Sequence, residues 1–172
     1  PAANDVWAST FHSACVRILR RDAEKLGFPS NFSIYDTSDS TSLIKHIIKD
    51  FNLDDKTYAP KVVLGAISRA KDQQIGAQEY LRQAKASGDL FRSKTGEIYA
   101  EYMRRMFAAG AMDFDDLIFH TVQMLKTDAE AREYYQQKFR YVVVDEYQDT
   151  SVAQFHLVRL LAGGSNNVCV VG

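Results

Sequence analysis

Residues 141–150 read YVVVDEYQDT, an apolar run that ends in two acidic residues. The aromatic and β-branched residues 141–144 are typical of a strand that is buried on both faces. Asp145 and Glu146 follow at its carboxyl end, where ligands of open α/β sheets collect. This arrangement suits a nucleotide site, since one carboxylate can hold Mg²⁺ while its neighbour orients or deprotonates a water molecule.

The composition is that of a globular protein, with 172 residues of which 46% are hydrophobic and 25% charged. The formal net charge is -1, so any surface that binds nucleic acid must be local. Cys15 and Cys169 show neither disulfide-framework nor zinc spacing, and we interpret both as reduced core residues. No apolar run approaches the roughly 20 residues of a membrane span, and the amino end has no signal-peptide pattern. We therefore expect a soluble cytoplasmic protein without a membrane partner.

Three strands are predicted, at residues 6–10, 141–145 and 168–171, with a shorter extended segment at 32–35. Residues 11–140 otherwise carry an almost continuous helical pattern, which is far longer than an ordinary connection between strands. The pattern therefore indicates a helical insertion within an α/β core.

We predict a fold that is mainly α with a small parallel α/β part. Residues 1–12 and 127–172 are expected to form an incomplete core of about three parallel strands, and residues 13–126 a helical insertion subdomain. The phosphate loop G-x-x-x-x-G-K-[ST] does not occur in the chain, so a nucleotide site built on Asp145 and Glu146 would be incomplete. We interpret the chain as a piece of a larger enzyme.

Three motifs occur in an order that resembles the UvrD/Rep/PcrA family of superfamily 1 DNA helicases. They are STFHS at 9–13, DFDDL at 113–117 and VDEYQDT at 144–150. These resemble motifs Ib, Ic and II of the family, and the terminal VCVVG at 168–172 resembles the strand that enters motif III. The helices in between resemble the helical insertion subdomain of the family.

The resemblance implies a partial RecA-like P-loop NTPase core in an ATP-dependent DNA helicase. ATP and Mg²⁺ are the implied cofactors, and single-stranded and forked duplex DNA the implied partners. The implied activity couples ATP hydrolysis to movement on single-stranded DNA in the 3′-to-5′ direction, in DNA repair or replication restart. Because the phosphate loop is absent, we expect the chain alone neither to hydrolyse ATP nor to unwind DNA.

The resemblance also implies roles for individual residues. Asp145 would bind Mg²⁺ through water, and Glu146 would orient and polarise the water that attacks the γ-phosphate. Gln148 and Asp149 would link the nucleotide site to neighbouring motifs and to DNA.

A second implied group is Thr10, Phe11, His12 and Ser13, which would lie along the path of single-stranded DNA. Hydroxyl and imidazole groups can donate to phosphate, and an aromatic face can stack on a base. Two of these residues have an alternative structural role, Phe11 as a core residue and His12 as a hydrogen-bonding residue at a helix start.

Other interpretations of the acidic residues and of the whole chain stay open. Asp145 and Glu146 could be a polar pair at a strand end and nothing more. They could instead join the Asp113–Asp116 cluster in a carboxylate metal site for hydrolysis, although no Glu-x-x-His spacing supports such a site. The cluster itself is assigned a capping and bracing role. The chain as a whole could be a non-catalytic helical module that docks DNA or protein, or part of a helicase–nuclease.

Two surface features are also predicted, a basic helix flank and a free sheet edge. The helix predicted from Phe11 to Leu26 has a basic flank, formed by Arg17, Arg20, Arg21 and Lys25, and we favour a solvated face over a phosphate contact. An incomplete sheet also leaves an unprotected edge strand, which favours dimerisation or strand exchange.

Overall fold

The computed structural model describes residues 6–172. In chain order, its helices and strands are α1 (Phe11–Asp22), a 3₁₀ helix (Ala23–Leu26), β1 (Ser33–Tyr35), α2 (Thr37–Asp50), α3 (Pro60–Asp72), α4 (Ala77–Ser87), α5 (Leu90–Ala108), β2 (Ala111–Asp113), α6 (Phe114–Thr127), α7 (Ala129–Lys138), β3 (Val142–Val144), a 3₁₀ helix (Tyr147–Asp149), α8 (Val152–Ala162) and β4 (Val168–Val170). The predicted class, mainly α with a small parallel α/β part, is confirmed.

The chain divides into two compact units. Residues 32–116 form one of them, here the middle unit, and residues up to 31 together with residues 117–172 form the other, here the end unit. These limits lie inward of the predicted insertion, 13–126. The reason is that α1 packs with the end unit: the Tyr135 hydroxyl donates a hydrogen bond to the Asp22 carboxylate.

The middle unit is built from α2, α3, α4 and α5 around an apolar core. Among its fully buried side chains are Ile44, Ile67, Ile98 and Tyr99. Asp36 begins α2 with a capping box, since its side chain accepts from the Asp39 amide and the Asp39 side chain accepts from the Asp36 amide.

Two short strands bound the middle unit. Strands β1 and β2 pair in parallel, with Ser33 opposite Ala111 and Tyr35 opposite Asp113. The segment predicted as extended at 32–35 is therefore confirmed, whereas β2 was not predicted. A strand of three residues is too short to show an alternating pattern in the sequence.

The end unit contains α1, α7, α8 and the parallel pair β3–β4, in which Val142 lies opposite Val168 and Val144 opposite Val170. The predicted strand at 6–10 is wrong, because these residues take no regular structure before α1. A strand needs a hydrogen-bonded neighbour, and within residues 6–172 the strands of this unit pair only with each other.

The burial of the β3–β4 pair also differs from the prediction. Val144 is buried at 5% exposure, but Val143 is 70% exposed, so β3 is covered on one face and not on both. Cys169 on β4 is exposed, which corrects its assignment to the core, whereas Cys15 on α1 is buried as predicted. Both cysteines are free thiols.

None of the helices within residues 6–172 has the length and apolar character that crossing a bilayer requires.

Candidate functional site

The acidic residues after β3 lie where two parallel strands end side by side. Beyond the strand ladder, the Val171 amide donates to the Val144 carbonyl at 2.8 Å, and the Tyr147 amide donates to the Val171 carbonyl at 2.9 Å. These bonds hold the chain after β4 against the turn after β3. Asp145 and Glu146 are therefore fixed at the carboxyl end of the sheet, and both are exposed there.

The backbone at Glu146 is unusual. It lies in the left-handed region, with φ 51° and ψ 43°, which costs a residue with a side chain of the order of 1–3 kcal/mol. Part of this cost is offset locally, because the Glu146 amide donates to Asp145 Oδ1 at 3.0 Å. The sharp reversal at this residue carries the chain from β3 directly into the 3₁₀ helix at Tyr147–Asp149.

Gln148 is held between Glu146 and the residue that follows Val171. Its amide nitrogen donates to Glu146 Oε2 at 2.5 Å. A Cβ added at Gly172 would lie only 2.3 Å from Gln148 Oε1, so the absence of a side chain at Gly172 leaves room for the amide. The structure thus brings Asp145, Glu146 and Gln148 into one turn, and the Asp149 amide closes that turn on the Glu146 carbonyl at 3.0 Å.

The donor set fits a magnesium ion that arrives with a nucleotide. Asp145 Oδ1 accepts from the Glu146 amide, which leaves Oδ2 of this exposed carboxylate for a cation or its water. Mg²⁺ is commonly held by one or two carboxylates together with substrate phosphates and water molecules. No group of three histidine, cysteine or acidic side chains within residues 6–172 could hold a metal by itself.

The TFHS residues form a second group, at the amino end of α1. Thr10 is the N-cap of this helix, since its hydroxyl accepts from the Ser13 amide at 3.2 Å. The same hydroxyl donates to the Ser13 hydroxyl at 3.0 Å. Thr10 and Ser13 are exposed, whereas Phe11 and His12 are half-buried, so the helix start presents hydroxyl groups outward. Contact of these four residues with DNA stays a prediction.

The acidic residues of the DFDDL segment lie at the end of the middle unit, where α6 begins. The Asp116 amide donates to Asp113 Oδ1 at 2.8 Å, and the Asp113 amide donates to Asp116 Oδ2 at 3.1 Å. This reciprocal pair is a capping arrangement, so the predicted capping role of the segment is confirmed.

The sequence prediction missed the partner of these two carboxylates. Lys71 Nζ lies 2.7 Å from Asp113 Oδ2 and 2.8 Å from Asp116 Oδ1, and its side chain is completely buried. The Tyr102 hydroxyl adds a hydrogen bond to Asp113 Oδ2 at 2.8 Å. A signal for Lys71 was present in the sequence, because it continues at spacing four the buried stripe of Val63 and Ile67 on α3.

Burial and the neighbouring charges shift the pKa values of Lys71 and Asp113 in opposite directions. Burial alone would lower the pKa of Lys71, but the carboxylates of Asp116 and Asp113 raise it above its ordinary value. Burial would likewise raise the pKa of Asp113, and the positive charge of Lys71 lowers it below its ordinary value. Lys71 and Asp113 are therefore both held in their charged forms inside the middle unit.

The chain matches one protein family along its entire length. Residues 1–172 match the UvrD/REP helicase N-terminal domain. The chain belongs to the UvrD/REP helicase family. Similar relatives carry the name ATP-dependent DNA helicase PcrA. That of Bacillus subtilis strain 168 is 46% identical over 172 residues, which is 100% of this chain and 23% of the relative.

Two staphylococcal relatives with the same name are similar to nearly the whole chain. The proteins of Staphylococcus epidermidis strain RP62A and Staphylococcus aureus strain Mu50 are each 44% identical over 170 residues, or 99% of this chain. The chain spans 23% of the length of each of these UvrD/REP relatives.

Proposed function

We propose that the chain is part of an ATP-dependent DNA helicase of the UvrD/REP family, which couples ATP hydrolysis to 3′-to-5′ movement on single-stranded DNA. One observation carries the proposal: Asp145 and Glu146 lie exposed in a fixed turn at the joined carboxyl ends of two parallel strands. The names of the relatives, each an ATP-dependent DNA helicase, support the same activity.

In the proposed site, YVVVDEYQDT acts as motif II. A magnesium ion held there with ATP would supply charge neutralisation for the transferred phosphate. Asp145 would hold this ion through the carboxylate oxygen that does not accept from the Glu146 amide, directly or through water. Glu146 orients the attacking water and accepts its proton, and the Gln148 amide fixes the Glu146 carboxylate through its hydrogen bond.

The link to DNA is assigned to Gln148, Asp149 and the start of α1. The carboxylate of Asp149 is exposed in the turn that contains Gln148 and can reach neighbouring parts of the parent enzyme. We assign STFHS to motif Ib. The amino end of α1 suits a phosphate because the helix dipole attracts negative charge there. Thr10, Phe11, His12 and Ser13 then line the path of single-stranded DNA.

The domain assignment follows from the same proposal. We assign the two ends of the chain to a RecA-like ATPase core and its helical middle to the insertion subdomain that meets forked duplex DNA. The division into an end unit and a middle unit supports this assignment, with the limits moved to 31/32 and 116/117. DFDDL, proposed as motif Ic, would then connect the insertion to the core.

The proposal extends to the state and location of the protein. The chain alone is expected to be inactive, because it lacks the phosphate loop that binds ATP. A cytoplasmic location and a role in DNA repair or replication are proposed because the relatives are bacterial DNA helicases.

Strands β3 and β4 pair only with each other within residues 6–172, so each keeps a free edge that could pair in a dimer. A nuclease domain in the parent would make it a helicase–nuclease.

The deciding experiment compares Glu146→Gln with Glu133→Gln in the full-length parent protein. Glu133 is an exposed residue of α7 and serves as the matched control. We expect Glu146→Gln to lower the DNA-stimulated ATPase rate by about 100-fold or more, with ATP-analogue binding retained, since a positioned acid–base group contributes about 10²–10⁴-fold.

Two results would contradict the proposal. The first is a normal hydrolysis rate in Glu146→Gln. The second is Mg²⁺-dependent hydrolysis by the purified 172-residue chain that disappears with the same substitution, because this would show that the chain alone is active.

A further inference from the structure

A cleft in the end unit, between α1 and α7, is not used by the proposed helicase chemistry. It has a volume of about 350 Å³ and is lined by Trp7, Val16, three arginines of α1, two tyrosines and Lys138. Its floor is aromatic, and its rim carries positive charge. From the sequence, the arginines of α1 are expected to form a solvated face; the fold places Trp7 and α7 beside them.

Trp7 is held among cations and an aromatic ring. The Arg17 guanidinium lies 3.8 Å from the centre of the indole ring, and Lys138 Nζ lies 5.4 Å from it. The Phe139 ring meets the indole edge-to-face, with centroids 4.9 Å apart. These contacts fix the indole, and both cations lie beside its ring.

Part of the positive charge at the rim has no carboxylate partner within the described residues. Within residues 6–172, neither Arg17 nor Lys138 forms a salt bridge with a carboxylate. A further cation of the cleft, Arg21, lies 3.5 Å from the centre of the Tyr134 ring and 3.9 Å from the Asp22 carboxylate. Asp22 is buried and already accepts a hydrogen bond from the Tyr135 hydroxyl, so it offsets little of the charge at the surface.

We propose that this cleft docks an acidic segment of a partner protein. An apolar side chain of the segment enters the aromatic cleft, and flanking carboxylates meet Arg17 and Lys138. Arginine keeps several N–H donors available while it lies over an aromatic ring, and these match a carboxylate in a bidentate manner. Aromatic residues and arginine are also the residues enriched at the centres of protein interfaces.

Nucleic acid is the less suitable occupant. A single strand bound without sequence preference needs open aromatic faces for its bases and a basic groove along its backbone. The Trp7 ring is already covered by Arg17, and the Phe139 ring closes its edge. The net charge of -1 also supplies no extended basic field around the cleft.

Trp7 allows a direct test. The 172-residue chain contains a single tryptophan, so tryptophan fluorescence reports on the cleft alone. The probe is a synthetic peptide in which glutamates flank a central leucine, and its control replaces the glutamates by glutamines. We expect the glutamate peptide to change the tryptophan emission saturably below about 1 mM and to bind about tenfold more tightly than the glutamine peptide. Added salt should weaken the binding.

Variants separate the cleft from general charge attraction. Arg17→Glu and Lys138→Glu should each weaken binding of the glutamate peptide about tenfold. Lys126→Glu makes the same charge change at an exposed position of α6 and should leave the affinity unchanged. Circular dichroism checks folding, and Arg17→Lys supplies a milder variant that should weaken binding less than Arg17→Glu.

The proposal is overturned if no saturable change occurs up to about 1 mM, or if the two peptides bind equally. It is equally overturned if Lys126→Glu weakens binding as much as Arg17→Glu, or if single-stranded oligothymidylate binds more tightly than the glutamate peptide. None of these results depends on ATP hydrolysis, so the cleft can fail while the helicase assignment stands, and the reverse also holds.

Discussion

Lys71→Met should strongly destabilise the middle unit, because it removes a cation that faces two buried carboxylates. Methionine has a similar length and keeps the apolar part of the lysine side chain in the core. The Asp113 and Asp116 carboxylates, which Lys71 contacts at 2.7 and 2.8 Å, would lose their counter-charge. The Tyr102 hydroxyl would remain as a donor to Asp113 but carries no charge.

The size of the stability loss in Lys71→Met follows from the burial of the three side chains. The side chain of Lys71 is 0% exposed, that of Asp113 8% and that of Asp116 1%, so water cannot replace the lost charge. Removing one partner of such a buried pair costs about 3–5 kcal/mol. Domains are commonly stable by about 5–15 kcal/mol, so the loss is a large part of the total free energy of unfolding.

The dependence on pH provides a more specific signature. In the wild type, Lys71 lowers the pKa of Asp113, so this stabilisation is present above the unfolded pKa of about 3.9 and is lost as the pH falls through the folded pKa. In Lys71→Met, burial instead raises the pKa of the Asp113 carboxyl. The folded variant then binds a proton more readily than the unfolded chain. The difference in free energy of unfolding between wild type and variant should therefore be smaller at pH 5 than at pH 7.

The assay is urea unfolding, followed by far-ultraviolet circular dichroism at pH 7 and pH 5. Adding Asp113→Asn and Asp116→Asn to Lys71→Met should recover much of the loss, since asparagine caps a helix about as well as aspartate. Arg82→Met is the matched control: it breaks an exposed ion pair with Glu79 and should leave the midpoint unchanged. The reasoning would be refuted if Lys71→Met lowered the free energy of unfolding by less than about 1 kcal/mol at pH 7. It would also be refuted if the difference from the wild type were larger at pH 5 than at pH 7.

Further outcomes concern the two site groups and the cysteines. Gly172→Ala should displace the Gln148 amide from Glu146, which NMR would detect as a shift of the Gln148 side-chain amide signals; unchanged signals would contradict the close approach. Thr10→Ala should cost about 1 kcal/mol in urea unfolding, whereas Thr10→Ser should cost little. Burial raises the pKa of the Cys15 thiol to about 12, so native protein should react with iodoacetamide at Cys169 alone, by mass spectrometry; rapid double labelling would count against this.

Much of the fold was predictable because local patterns carry it. The run before Asp145 and the run VCV at 168–170 both form strands. The helix that begins after Thr10 follows from a hydroxyl N-cap and a regular apolar stripe. The capping role of Asp113 followed from its place before an apolar helix pattern.

What was missed depends on neighbours that a local pattern does not reveal. Val143 looks like a core residue, yet it is exposed because the β3–β4 pair is covered on one face only. Lys71 looks like a surface residue, yet two carboxylates that are distant in sequence allow its burial. Trp7 was assigned to a strand, and its contacts with Arg17 and Lys138 depend on the packing of α1 beside α7.

The candidate nucleotide site was predictable in its residues but not in its geometry. Asp145 and Glu146 stand out because two acids directly follow an apolar run. The left-handed backbone of Glu146 has no sequence signal, since this conformation is usually associated with glycine or asparagine. The contact between Gln148 and Glu146 depends on that conformation.

The parallel pairing of β1 with β2 has a consequence for how such a protein can gain or lose its middle unit. The unit begins at β1 and ends at β2, with Tyr35 directly opposite Asp113. For strands spaced about 4.8 Å apart with a rise of about 3.3 Å per residue, the entry at Ser33 and the exit at Asp113 lie only about 8 Å apart. A linker of a few residues could bridge that gap. Because its entry and exit lie close together, recombination could insert, exchange or delete the middle unit without moving the two chain segments that flank it.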